Sequence, residues 1–429
     1  MPIVPKKHLI PFILVTSLFA LWGFANAVTD PMVQAFKKVL ELSNSEAAWV
    51  QTAFYGGYFC MALPAAMFMR KYSYKVGILI GLGLYATGAL LFYPAAQTES
   101  FMFFCLGLYI LTFGLAFLET AANPYILSMG NKKTATQRLN LAQAFNPVGL
   151  LAGLLVAQQF VLKNLQSDDI ENFSKLAETT KTSIRTSDLL IIRNPYVILG
   201  LVIAAVFILF LVSKMPQAKE EGPMPKIGET FKVLGKNTKY VLGVISQICH
   251  VGCLIMCWTY IYQYAEAISI DSVTAGNYQI AAFIIFIIGR ALGTYLLRFL
   301  SSGKMLLYYS LLGIVFLVGV IFIQGKVGLY CLVAVSFCMS VKFPTIYGIA
   351  LGNLTEEQSK VGSAGLIMAI VGGATLPKLQ AKIIDAGGPG VADTSFLGVP
   401  EINFSFILPL FCFGFIAWYG YRVLIKEGD

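Results

Sequence analysis

Apolar runs recur along the whole chain, each closed by charged residues or a Gly/Pro cluster, and at roughly 20 residues each is long enough to cross a bilayer as an α-helix. The runs cover residues 9–36, 47–69, 76–96, 101–129, 139–162 and 195–212, then 240–268, 274–300, 305–324, 328–351, 362–384 and 404–424. They predict an all-α membrane protein of twelve transmembrane helices in two sets of six. With 57% of its residues hydrophobic and 12% charged, the chain has too little polar surface for a soluble domain of its length.

The basic balance, a net charge of +9, is explained by topology. Lys and Arg sit in short segments between the apolar runs, with no basic helix or aromatic platform for nucleic acid. Lys6 and Lys7, then Arg70, Lys71 and Lys75, then Lys132, Lys133 and Arg138 occupy every second connection. The segment 214–239, the pair Arg298 and Lys304, and the tail residues Arg422 and Lys426 continue the alternation. Positive charge marks the cytoplasmic side, so both termini and the middle segment are expected there. The loop 163–193 mixes acids with lysines, as an outside loop can, while Lys37 and Lys38 run against the pattern. Segment 213–239, with Pro216, Gly222, Pro223 and Pro225, is polar and too short for a domain. The expected organisation is a first bundle 1–213, a linker 214–239 and a second bundle 240–429, the two-half design of many secondary transporters.

Ala25-Asn26-Ala27 resembles a signal-peptide cleavage site, but the apolar run exceeds a signal core and further spans follow, so it is expected to stay as the first helix. All eight cysteines fall in apolar runs, which argues against a disulfide framework. Cys249, Cys253 and Cys257 share one helical face beside His250. A soft-metal site is conceivable there, but small packing residues at a helix interface are the simpler account, and no metal or cofactor is expected. His8 and His250 are isolated, so no nucleophile and base pair suggests an enzyme. A long two-half chain does not need the rings of like residues that build an oligomeric channel, and a monomer is expected.

Several residues violate the apolar pattern. In GLAFLETAANPYILSMG (114–130), Glu119 sits mid-run, followed by Asn123 and Pro124. A carboxylate at a helix centre costs roughly 2.5 to 3.5 kcal/mol, so such a group is expected to face a cavity or a partner. Asn26, Thr29 and Asp30 crowd the second half of the first run, ahead of Pro31, making Asp30 a second candidate. Gln143 and Asn146 are amides three apart on one helix face, and a water-filled cavity would satisfy them. Gln51, Phe54, Tyr55 and Tyr58 share a face of the second helix, as Trp258 and Tyr262 do on the seventh. Lys342 lies inside the tenth run beside Phe343 and Pro344, too central to snorkel easily. It is expected to face the cavity and pair with Glu119 or Asp30 in one conformation.

The stretches QTAFYGGYF (51–59), ETAANPY (119–125), RLNLAQAFN (138–146), GRALG (289–293) and FPTIY (343–347) resemble the L-fucose permease family of the major facilitator superfamily. The matches span both halves; ETAANP and RLNLAQ together are specific, and GRxxG alone is weak. The resemblance implies two pseudo-symmetric six-helix bundles in a bacterial inner membrane, importing a monosaccharide together with a proton by alternating access. The family's two important carboxylates carry over to Asp30 and Glu119. Gln143 and Asn146 carry over as sugar-facing positions, joined by Asn26, Gln51, Tyr55, Glu119, Asn123 and Trp258 as candidate sugar contacts, with Asp30 taking the proton and Glu119 meeting the sugar or serving the release step. A sugar presents hydroxyls on its rim and C–H faces above and below, so amides, carboxylates and flat aromatic walls suit it.

There are departures from the family pattern. Ala27 and Thr29 stand in the first helix where the family is Asn-rich, Cys253-Leu254-Ile255-Met256 precedes Trp258, and residues 68–72 read FMRKY without an Asp. The family also reaches glucose and galactose carriers, so a sodium-linked or uncoupled hexose carrier is the alternative, and a non-transporting sugar sensor a more distant one. A fixed internal cation at Lys342 would stand in place of a coupling ion, and uptake would then be equilibrative.

Overall fold

The computed structural model describes residues 3–42, 44–168, 176–215, 227–388 and 393–427. Its principal helices are α1 (Leu9–Val39), α2 (Asn44–Lys71), α3 (Tyr74–Leu90, running on as Phe92–Gln97), α4 (Phe101–Ser128), α5 (Ala135–Gln143 and Asn146–Val156) and α6 (Glu178–Val212). There follow α7 (Thr238–Thr259 and Ile261–Ala267), α8 (Ser272–Leu296), α9 (Ser302–Phe322), α10 (Lys326–Met339 and Lys342–Leu351), α11 (Glu356–Met368 and Gly372–Ile384) and α12 (Glu401–Ser405 and Ile407–Glu427). Among the described residues eleven helices are long and apolar enough to cross a membrane, and Ala53–Met69 of α2 is a shorter apolar stretch. The expected all-α, twelve-helix class therefore holds.

Proline accounts for two of the breaks. It has no N–H to donate and its ring crowds the preceding turn. α5 is interrupted at residues 144–145 ahead of Pro147, and α10 at 340–341 ahead of Pro344. Pro64, Pro124 and Pro195, by contrast, stay inside continuous helices.

The structure corrects one boundary and adds two elements. α6 begins at Glu178, well before the expected start at 195. Its first turns are polar yet helical, because partners satisfy them: Asp188 accepts the backbone N–H groups of Gln166 and Ser167, and Lys181 reaches Glu41 at 3.2 Å. Polarity marks the edge of the hydrocarbon, not of the helix. Between α6 and α7 lies a further helix, Ile227–Lys236, whose Thr230 and Leu234 are buried as it packs on α7 and α11. Between α11 and α12 a two-residue hairpin pairs Ser395–Phe396 with Val399–Pro400. It turns through Leu397 and Gly398, both at positive φ, as a tight hairpin turn requires.

The described chain forms two compact units. One comprises Lys6–Tyr125 and Phe145–Glu221; the other comprises Met1–Pro5, Ile126–Ala144 and Gly222–Asp429. In the first, α1 and α5 meet backbone to backbone. A Cβ on Gly149 would lie 1.9 Å from the Ala20 carbonyl oxygen, and one on Gly23 would lie 2.2 Å from that of Asn146. Only glycine permits that approach, the usual device where apolar helices pack in lipid. Lys75 closes the end of α6 by donating to the carbonyls of Leu211 and Ser213 at 2.9 and 2.8 Å, a basic side chain on otherwise unsatisfied C-terminal groups.

In the second unit Arg138, fully buried, does the same for α4. Its Nε donates to Ile126 O at 2.7 Å and its Nη2 to Leu127 O at 2.6 Å. The RLNLAQ stretch thus begins with a structural cap. The segment Ala135–Gln143 is packed against α8 and α10 within this unit.

Candidate functional site

In the unit built from Lys6–Tyr125 and Phe145–Glu221, Glu119 is buried in α4 at 6% exposure, and Tyr58 of α2 donates its hydroxyl to Glu119 Oε1 at 2.8 Å. The Tyr58 ring stands edge-on to Phe54 at 5.6 Å, and Phe54 stands edge-on to Tyr55 at 5.7 Å. Asn123, one turn beyond Glu119, is buried and donates Nδ2 to the Glu119 backbone oxygen at 2.8 Å. Asn146 at the resumption of α5 donates Nδ2 to Phe19 O at 3.2 Å. Asn26 Oδ1 is buried without a hydrogen-bond partner among the described residues. The side chains of Asp30 and Gln51 lie outside the described residues.

The phenol suits a carboxylate that changes charge. Tyr O–H can donate to the ionised form or accept from the protonated one, whereas an arginine could only donate. Glu119 therefore keeps a partner in both states.

In the other unit, Gln143 is buried at the end of the first segment of α5 and Trp258 is packed on α7. The Trp258 indole N–H donates to Ser336 Oγ at 3.1 Å, with Phe283 and Phe286 edge-on at 4.6 and 5.2 Å. Lys342 is fully buried on α10, and its Nζ lies 2.9 Å from the centroid of the Phe413 ring. It has no hydrogen-bond partner among the described residues. The same is true of both side-chain atoms of Gln247 and both ring nitrogens of His250 on α7. His250 meets the Phe343 ring edge-on at 6.3 Å, one residue from Lys342. Buried polar groups are nearly always hydrogen-bonded, so this cluster marks a place where water or a polar ligand belongs.

Arg290, in the GRALG stretch of α8, is 3% exposed. Its Nε donates to Ser340 O, its Nη1 to Gln143 O at 2.9 Å, and its plane lies 4.8 Å from the Phe286 ring. Those carbonyls are the ones that Pro344 and Pro147, each four residues further on, have no N–H to satisfy. One guanidinium thus fills both proline gaps. Beside it Gln137 Nε2 donates to Thr294 O at 3.0 Å and Asn140 Nδ2 to Thr345 Oγ1 at 3.3 Å.

Sequence reasoning placed Tyr58 on the right face of α2 but did not join it to Glu119, treated His250 as isolated, and took GRALG only as a family marker. The free carbonyls opposite two prolines were a usable signal for Arg290. Gln247 carried none beyond its polarity in an apolar run.

A family model described as Major Facilitator Superfamily matches residues 12–377. The chain is 54% identical over 426 residues to the L-fucose-proton symporter of Haemophilus influenzae, covering 98% of each. It is 33% identical over 418 residues to the L-fucose-proton symporter of Escherichia coli, covering 96% of this chain and 92% of that relative. Among solved structures, it matches the crystal structure of a single-residue variant of the E. coli fucose:proton symporter with a TM-score of 0.86 at 32% identity, covering 97% of this chain and 99% of that one.

Proposed function

The chain belongs to the Major Facilitator Superfamily, within the family of the L-fucose-proton symporters, and from that premise we propose that it imports L-fucose or a related hexose together with a proton. The observation that carries the proposal is Glu119, a buried carboxylate held by a neutral phenol and therefore able to exist in either protonation state. Asp30 is the second coupling carboxylate in this scheme, taking the proton nearer the outside. Asn26, Gln51, Tyr55, Asn123, Gln143, Asn146 and Trp258 serve as sugar contacts. The unsatisfied groups of Gln247, His250 and Lys342 add donors and acceptors from the second half, where a sugar's hydroxyls would replace water. Lys342 also supplies a fixed positive charge that pairs with Glu119 or Asp30 in one stage of the cycle.

The organisation proposed is a bundle 1–213, a linker 214–239 and a bundle 240–429, working as a monomer in a bacterial inner membrane with both termini cytoplasmic. The contacts of Ala135–Gln143 with α8 and α10, centred on Arg290, then form the cytoplasmic closure that must release before sugar leaves inward. Alternating access by rocking halves around a midplane site requires such a closure on each side in turn.

Reconstituted into liposomes, the protein should concentrate labelled L-fucose when an inward proton gradient is imposed. A protonophore should abolish that accumulation, and replacing sodium by choline should leave it intact. Accumulation that survives the protonophore but needs sodium would identify a sodium-linked carrier instead. Sugar binding without exchange of labelled for unlabelled sugar would identify a sensor.

A further inference from the structure

Where α1 begins and α6 ends, the chain forms an open groove of about 570 Å³ lined by Lys6, Lys7, Ile10 and Pro11 on one side and Ser213, Lys214 and Met215 on the other. All three lysines are exposed, and among the described residues no carboxylate lines the groove. The rim carrying Lys214 is fixed by Lys75, whose ammonium holds the carbonyls of Leu211 and Ser213. The groove's apolar wall continues into an exposed apolar flank. Ile10 and Ile13 on one face of α1 are 73% and 57% exposed, and Val212 at the end of α6 is 73% exposed.

An ammonium cluster alone would suit any phosphate. Here the cluster sits where two bilayer-crossing helices leave the hydrocarbon, and the exposed Ile10, Ile13 and Val212 run from it toward the apolar region. A ligand carrying an anionic phosphate and hydrocarbon chains satisfies both parts at once, while inorganic phosphate would leave the apolar flank unused. Basic pockets at the cytoplasmic ends of transmembrane helices are suited to anionic headgroups for the same electrostatic reason.

We propose that this groove binds an anionic phospholipid, its phosphate among Lys6, Lys7 and Lys214 and its acyl chains along Ile10, Ile13 and Val212. The site lies on the outer surface of its bundle, apart from Glu119 and its neighbours, so it is a lipid dependence separate from sugar recognition.

The test uses the purified full chain in a neutral detergent, titrated with phosphatidylglycerol while the melting temperature is followed. Parallel titrations use phosphatidylcholine and inorganic phosphate. A ligand that binds only the folded state raises the melting temperature by mass action. Phosphatidylglycerol should do so, and the other two should not. The triple variant K6Q/K7Q/K214Q should melt like the parent without lipid and bind phosphatidylglycerol about 100-fold more weakly, at about fivefold per lysine. The variant K6R/K7R/K214R should respond like the parent. Near 1 M salt, where screening acts over about 3 Å, the parent's response should shrink. An unchanged midpoint in the glutamine variant, an equal response to phosphatidylcholine or inorganic phosphate, or a response indifferent to salt would each overturn the assignment.

Discussion

Tyr58 of α2 donates its hydroxyl to Glu119 of α4 across 2.8 Å, and both side chains are buried. The two come from separate helices, so their distance reports how α2 and α4 pack. Among the described residues this carboxylate has no cation as a partner, and it is held by a neutral phenol. That is the condition for a group that takes up and releases a proton within a cycle.

Glu119→Gln keeps the shape of the side chain and removes its proton exchange. Exchange of labelled for unlabelled L-fucose across the liposome membrane should persist, while accumulation against a gradient should stop. A variant that still concentrates sugar like the parent would remove Glu119 from coupling.

Tyr58→Phe deletes the donor and leaves a buried carboxylate oxygen to be satisfied by water or by protonation. Loss of a hydrogen bond to a buried group costs about 1 to 3 kcal/mol, so the melting temperature should fall. In combination with Glu119→Gln the two effects should not add, because they report on one contact. Full additivity would mean that the hydroxyl acts elsewhere.

Much of the architecture is legible in the sequence because hydrocarbon thickness and backbone satisfaction leave few choices. The apolar runs mark the helices, and Glu119 and Lys342 stand out against them as charged residue types inside apolar runs; both are buried. The start of α6 was missed because hydropathy reports where lipid ends, while the helix continues on contacts such as Asp188 with the N–H groups of residues 166 and 167. Contacts between distant helices were illegible in kind. Spacing on one helix places Tyr58 on a face, but only the fold brings it to a residue 61 positions away. His250 looked isolated for the same reason, since Gln247 shares its helix but Lys342 does not.

Lys342→Met replaces a buried amine lacking a hydrogen-bond partner among the described residues with an apolar chain of similar length. Removing a buried polar group that lacks a hydrogen-bond partner among the described residues should raise the melting temperature by about 2 °C or more. Sugar affinity should drop by about tenfold, the loss of one hydrogen bond. A variant less stable than the parent would show that Lys342 is held by stronger partners; unaltered affinity would take it out of the sugar site.

Arg290→Lys retains the charge but cannot span the carbonyls of Ser340 and Gln143 with a planar fork. Backbone amides in Ala135–Gln143 should exchange hydrogen faster, and transport should change in rate more than in sugar affinity. If exchange in that segment matches the parent, Arg290 does not fasten it.

The central claim is that sugar and proton enter together through Glu119. Its most direct test is a pH electrode in a lightly buffered suspension of proteoliposomes with no imposed gradient. Adding L-fucose should make the outer medium more alkaline as protons follow the sugar inward, and the Glu119→Gln protein should give no signal. Uptake of labelled L-fucose by the parent with no change in external pH would contradict the account.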